Sequence, residues 1–239
     1  MSKLLSTLDS IRYSLLPKKY YIRYQVRRSS RRFEKELGML PFLVRDGTNA
    51  VDGGAHKGVY SYCLAALCEQ VYAFEPNPAM YDYLRKAVPA NVQTFPYALS
   101  DYSGTATFNV PRTAGKTHHT RGSLQPVAGE DGAHELEIQV VDLDSLGLEN
   151  VGFIKLDVEG NELSAIRGAT KLIANSRPVI LAELTGVAGN PPEEVISLLE
   201  EWDYLPVVTL DGRLHYFGRN TAGNIHQNCL FIPREDGRA

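Results

Sequence analysis

Val51-Asp52-Gly53-Gly54-Ala55-His56-Lys57-Gly58 is the stretch on which the reading of this chain turns. A short apolar run at 49–53 leads into it and a helix-patterned stretch at 59–68 follows. In this context a strand gives way to a helix around a nucleotide. Gly54 and Gly58 permit the tight bend and let a ligand approach bare backbone. The spacing Asp-x-Gly-x-x-x-Gly departs from G-x-G-x-x-G, whose three glycines admit a pyrophosphate to a helix N-terminus. An acid directly before the turn repels a diphosphate and suits a ligand bearing an ammonium or sulfonium group.

The next strand, at 71–75, ends in Ala73-Phe74-Glu75-Pro76-Asn77. Glu75 then falls about 20 residues beyond the first glycines, where an acid accepts hydrogen bonds from both ribose hydroxyls of a nucleoside. Taken singly, Asp52 reads equally well as a helix cap and Glu75 as a surface charge. Together, in a strand-turn-helix-strand order, they indicate a nucleoside site, and the acid at the turn favours S-adenosylmethionine over NAD.

The rest of the chain continues the alternation. Strands are expected at 49–53, 71–75, 92–96, 151–157, 179–184, 204–209 and 228–232, with helices at 59–68, 78–88, 161–174 and 193–202. This is the pattern of βαβ units in a Rossmann-like α/β domain. Thr/Val/Ile alternation adds strands at 105–110 and 135–141, flanking a Gly-, Thr- and His-containing loop at 111–134. Long loops inside compact domains commonly serve as covers, so the insertion around 105–141 is the expected lid over a substrate.

The 239 residues suit one sizeable domain. They carry a net charge of −3, but unevenly: residues 1–45 hold 11 Lys/Arg against three acids, or +8, leaving −11 for residues 46–239. No run approaches the ~20 apolar residues of a membrane-spanning helix. Cys63, Cys68 and Cys229 are too few and too irregularly placed for a disulfide framework or zinc site, which fits a reducing cytoplasm. Leu4, Leu8, Ile11 and Leu15 recur at helical spacing, and Arg27, Arg28, Arg31 and Arg32 follow. This basic N-terminal extension, 1–45, either packs as a helix on the domain 46–239 or a partner, lies on an anionic membrane or other polyanion, or is a removable targeting peptide. Packing is the plainest of the three, and peripheral membrane contact is the second.

Further stretches bring a family into view. Ile154-Lys155-Leu156-Asp157-Val158-Glu159-Gly160-Asn161-Glu162, with the turn at 51–58, Phe74-Glu75-Pro76-Asn77-Pro78 and Ala98-Leu99-Ser100-Asp101, resembles the FkbM-type methyltransferases over roughly residues 49–232. The resemblance implies a seven-stranded, mostly parallel sheet with helices on both faces and an antiparallel last strand. It implies S-adenosylmethionine as donor and a sugar, glycan or secondary-metabolite hydroxyl as acceptor. Its motifs give a cofactor set of Asp52, Gly53, Gly54, Ala55, Gly58, Glu75, Asn77, Ala98, Leu99 and Asp157, with Ala98 and Leu99 near the adenine.

Methyl transfer to a hydroxyl asks the protein to align the nucleophile and to receive its proton. Lys155 and Asp157 share a strand face, Glu159 follows at the strand's carboxyl end, and Glu183 ends the next strand, so three carboxylates are expected to converge. Glu159 and Glu162 read alternatively as acids at the start of the helix near Asn161. Converging carboxylates also suit Mg²⁺, a second option that is not favoured. His118 and His119 offer a base from the lid, and Tyr97, Tyr102 and Arg121 are candidate pocket residues. Asn190-Pro191-Pro192-Glu193 resembles the motif with which amino methyltransferases grip a flipped base. Glu193 cannot stack, however, and the acidic domain does not favour a phosphate backbone, so no nucleic-acid partner is expected. A nucleoside-binding module without catalysis is the remaining alternative.

Overall fold

The strands expected from short, β-branched apolar runs assemble into one twisted sheet whose central members are buried on both faces. The computed structural model describes residues 16–32, 35–113, 116–117, 122–125, 133–184, 192–210, 213–217 and 227–236. In chain order the elements are α1 (Lys18–Arg32), α2 (Leu40–Leu43), β1 (Asn49–Gly53), α3 (Val59–Leu64), β2 (Val71–Phe74), α4 (Pro78–Ala87), β3 (Val92–Phe95), β4 (Tyr97–Leu99), β5 (Gly104–Thr113), β6 (Lys116–Thr117) and β7 (Ala133–Val141). They continue with β8 (Val151–Leu156), α5 (Glu162–Arg167), α6 (Thr170–Ser176), β9 (Val179–Leu184), α7 (Pro192–Glu201), β10 (Tyr204–Leu210), β11 (Arg213–Tyr216) and β12 (Gln227–Pro233).

The main sheet runs β11-β10-β12-β9-β8-β1-β2-β3. Strands β3, β2, β1, β8 and β9 are parallel to one another, and β12 inserts antiparallel between β9 and β10. This is a Rossmann-like sheet with its last strand reversed, as the resemblance implies. Side chains alternate between faces, which divides the core in two. Val51, Ile154, Ile180 and Phe231 face α5, α6 and α7. Ala50, Phe153, Leu181 and Leu230 face the side covered by α2 and α3.

Two expectations are corrected. The sheet has eight strands, because β11 adds a hairpin edge in which Leu210 pairs with Arg213. Only Asp211-Gly212 lies between these partners in the sequence, a dipeptide that favours hairpins and was legible from the start. The helix expected over 161–174 is broken into α5 and α6. At the break, a Cβ on Gly168 would lie 1.9 Å from the Ser100 carbonyl oxygen, so the chain approaches backbone where only glycine fits. Asp144 then restarts the helix by accepting the N–H groups of Lys171 and Leu172, each at 2.9 Å.

The strands at 105–110 and 135–141 belong to a second, smaller sheet of order β4-β7-β5-β6. Its core is Ala98, Phe108, Val110, Ile138 and Val140. Of the loop between β6 and β7, residues 122–125 are described: Ser123 exchanges two backbone hydrogen bonds with Asn109 of β5, at 2.8 and 3.0 Å. The stripe Leu4 to Leu15 lies outside the described residues. The basic run at 27–32 belongs to α1, which packs on α3 and α4 through Tyr21 and Ile22. No helix among the described residues is long and apolar enough to cross a membrane.

Candidate active site

The order of the main sheet reverses between β1 and β8, whose chains leave toward opposite sides, and open α/β sheets bind ligands in the crevice this creates. Here the crevice is a cleft of about 600 Å³, counting the space open to solvent. Its floor is the turn after β1, with Gly54 and His56. One wall is Glu75 and Asn77 at the end of β2, another is Tyr97, Ala98 and Leu99 of β4, and the third is Asp157, Val158 and Glu159 beyond β8. Gly122 and Leu124, in the segment that Ser123 bridges to β5, also line it.

Gly54 fixes how closely β1 and β8 converge. Its φ of +72° is left-handed, and a Cβ there would sit 1.8 Å from the Asp157 carbonyl oxygen. Asp157 N–H in turn donates to the Gly53 carbonyl at 3.0 Å. Gly53 itself packs between Leu99 and Leu156, Ala55 is buried, and Gly58 caps α3 and lies against Leu84 of α4 and Val88 just past its end. These three shape the turn from behind and do not line the cleft.

Asp52 is likewise set behind the cleft. It is wholly buried, accepts the Ser61 hydroxyl at 2.5 Å and lies 4.0 Å from the Lys155 ammonium. Burial pushes its carboxyl up, against the opposing pull of Lys155 and Ser61. The carboxylate that presents charge to a ligand is therefore Asp157. Lys155, buried and 4.9 Å from the Tyr60 ring centroid, bonds Asp157 at 3.0 Å. Burial opposes ionisation of Asp157, but Lys155 and a hydrogen bond from Glu183 hold it below the usual carboxylate range. Glu183 is pushed up, first by burial and then by the Asp157 charge, so it is the protonated member of the pair. Glu159 contributes to the same negative field and has a left-handed φ of 51°. Its carbonyl accepts the Ser123 hydroxyl at 2.5 Å, which ties the covering segment to the β8 loop.

Glu75 receives the N–H of His56 at 2.7 Å and that of Asn77 at 2.8 Å, one on each oxygen. Burial pushes its carboxyl up to about 7. Each oxygen retains a lone pair toward the cleft, which suits a vicinal diol. Asn77 also caps α4 through Ala79 N–H at 3.0 Å. His56 adopts φ 48°, and burial, with Lys57 next, lowers its imidazole to about 4, so it is neutral. Its Nε2 is buried and has no hydrogen-bond partner among the described residues.

Two further positions emerge. Glu162 sits outside the cleft, 1% exposed, and accepts Val158 and Gly160 N–H groups at 3.0 and 3.3 Å, so it shapes the loop that carries Glu159. Asn161 lines the cleft and donates to the Leu99 carbonyl at 2.8 Å, joining the β8 loop to β4; the sequence marked it only as a helix start. Tyr97 reaches the cleft, whereas Tyr102 is exposed and does not line it. His118, His119, Arg121 and Asn190-Pro191 lie outside the described residues. Among the described residues no group of three His, Cys, Asp or Glu side chains is arranged to hold a metal ion.

The family model of the methyltransferase FkbM domain matches residues 52–206, enclosing every wall of this cleft. The chain belongs to the FkbM methyltransferase family. This FkbM-family chain is 32% identical over 158 residues to the hexuronic acid methyltransferase AglP of Haloferax volcanii, covering 63% of the chain and 60% of that relative. The crystal structure of methyltransferase FkbM from Methylobacillus flagellatus KT superposes with a TM-score of 0.50 at 18% identity, over 80% of this chain and 45% of that one. The latter likeness is one of fold. The chain spans less than two-thirds of the length of either protein.

Proposed function

We propose that the chain is an S-adenosylmethionine-dependent O-methyltransferase whose acceptor is a hydroxyl of a sugar or glycan, or of a comparable small molecule. The observation that carries the reading is the pairing, across one cleft, of a diol-facing Glu75 with an ionised Asp157. The name of the Haloferax relative, a hexuronic acid methyltransferase, supports a sugar acceptor.

The residues present fit the donor. Glu75 would take its ribose hydroxyls, Ala98 and Leu99 would flank its base, and the bare Gly54 backbone leaves room for its chain. When bound, S-adenosylmethionine supplies a methyl group made electrophilic by a sulfonium. Asp157 places negative charge beside that end of the cleft, with Asp52 and Lys155 setting its ionisation from below. Lys155 also makes Asp157 a weak base before transfer. That matches the task, because a neutral hydroxyl becomes strongly acidic as its oxygen forms a third bond, to the methyl carbon, and takes on positive charge, and even a weak carboxylate then accepts the proton. Glu183 steadies Asp157 from the next strand, and Glu159 lies within the same field. The acceptor's cover is assigned to the insertion around 105–141, whose Gly122 and Leu124 already line the cleft. No step requires Mg²⁺. A reducing cytoplasm suits the three free cysteines, of which Cys68 and Cys229 are buried with their thiols pushed up to about 11 and about 12 by desolvation.

The test has two arms. In calorimetry, S-adenosylhomocysteine should bind and NAD should not; the reverse result ends the proposal. With labelled donor, methyl groups should appear on uronic-acid or neutral glycosides, and Asp157→Asn should slow transfer by about 10²–10⁴-fold, the range of a positioned base. Unchanged turnover in that variant removes Asp157 from the mechanism.

A further inference from the structure

The outer face of α1 carries a row of cations. One side of the helix is fixed to the domain, with Tyr21 and Ile22 buried against Tyr83 and Ala87 of α4 and beside Val59 and Tyr62 of α3. On the other side Lys19, Arg23 and Arg27 are all exposed and recur every four residues, so they form one stripe along the helix. The helix sequence KKYYIRYQVRRSSRR holds seven Lys/Arg and no acid.

Elsewhere among the described residues, Arg85 and Lys86 pair with Asp82, Arg177 with Glu235 and Arg234 with Asp203, and the exposed Lys171, in no ion pair, stands alone and not in a row. Among the described residues, Lys19, Arg23 and Arg27 enter no ion pair. Apolar groups flank the stripe. Tyr20 is 52% exposed with the Lys19 ammonium 5.2 Å from its ring centroid, and Leu16, just before the helix, is 39% exposed. Cationic side chains interleaved with an aromatic ring and an aliphatic side chain are the composition of a helix that lies among lipid headgroups.

We infer that this face docks the protein on an anionic phospholipid bilayer. The seven cations of α1, against a net −11 for residues 46–239 by sequence, orient the approach: α1 is drawn to a negative plane from which the acidic domain is repelled. A bilayer needs only one face of the molecule. A long nucleic acid would have to continue across the acidic remainder, where its phosphates are repelled. Since α1 is held by its opposite side, docking requires no unfolding of the helix.

The full chain should be sedimented with vesicles of phosphatidylcholine alone and of phosphatidylcholine mixed with phosphatidylserine, at low and high salt. Binding is expected to the mixed vesicles only, weakening as salt screens the attraction. Each basic side chain at such a surface contributes about five-fold to partition, so Lys19→Ala/Arg23→Ala/Arg27→Ala should lower it roughly hundred-fold. The triple variant should keep the thermal midpoint of the parent, because the three side chains touch none of the α1 packing. Three results would overturn the inference: equal recovery on neutral vesicles, undiminished binding by the triple variant, or tighter binding to an RNA oligonucleotide than to the mixed vesicles at the same salt.

Discussion

Replacing Lys155 by Met should destabilise the protein by an amount that depends on pH. The ammonium lies 3.0 Å from an Asp157 oxygen and 4.0 Å from an Asp52 oxygen, with 7% of its side chain exposed. At an effective dielectric constant of about 20, those separations correspond to attractions of about 5 and about 4 kcal/mol, before the cost of burying the charges. That cost offsets much of both. What the substitution exposes is the reverse situation, a wholly buried Asp52 and a partly exposed Asp157 facing each other without a cation; removing one partner of a fully buried pair costs about 3–5 kcal/mol, and solvent reaching Asp157 places the loss at the lower end of that range. The loss has a sign in pH. Without Lys155 the folded-state carboxyls rise above their unfolded values, so stability is intact at low pH and falls as pH climbs through the raised values. Urea denaturation at about pH 5 and about pH 8 should therefore show a small deficit at the first and the full deficit at the second. Asp52→Asn added to Lys155→Met should recover part of it. A deficit under about 1 kcal/mol at both pH values, the size expected of an exposed pair, would refute the account of two carboxylates held by one buried ammonium.

Two other outcomes follow from the same geometry. Glu162 is held at about 7, above the ordinary glutamate value, chiefly by burial, so its ionisation penalises the fold progressively from about pH 4.5 to about pH 7. Glu162→Gln should equal the parent below that window and exceed it above, by up to about 3 kcal/mol, as read from denaturation midpoints; a deficit at high pH would mean that the carboxylate's bonds to Val158 and Gly160 outweigh its burial. Gly54→Ala should lose more than the about 1–2 kcal/mol of a left-handed alanine, because the new methyl meets the Asp157 carbonyl. It should also abolish S-adenosylhomocysteine binding in calorimetry. Retained affinity would show that β1 and β8 can separate without harm to the site.

The main sheet was legible because its strands are short apolar runs separated by turn residues, and each of the seven strands expected in it occurs within a residue or two of its place, whereas the strand expected at 105–110 runs on to Thr113. The family was legible because 51–58, 74–78 and 154–162 must bring bare backbone and acids to one crevice. What escaped the sequence was direction. Nothing in Asp-x-Gly-x-x-x-Gly tells whether Asp52 faces the ligand or the helix behind it. Alternation along β1 turns it to Ser61 and Lys155, and Asp157 takes the exposed position. Likewise the Glu159–Glu162 pair admitted one reading as cleft acids and another as helix-start acids. The structure divides the pair: Glu159 lines the cleft, and Glu162 caps the loop beneath it. The break at Gly168 depends on a distant contact with Ser100, which no local pattern records.

The smaller sheet leaves the main one directly after β3, and its first and last long-range partners are neighbours, with Tyr97 beside Gln139 and Leu99 beside Val141. The chain thus departs and returns through a single doorway. If the proposed cover role holds, exchanging the stretch between these partners for a relative's should change the acceptor accepted while leaving S-adenosylhomocysteine affinity in place.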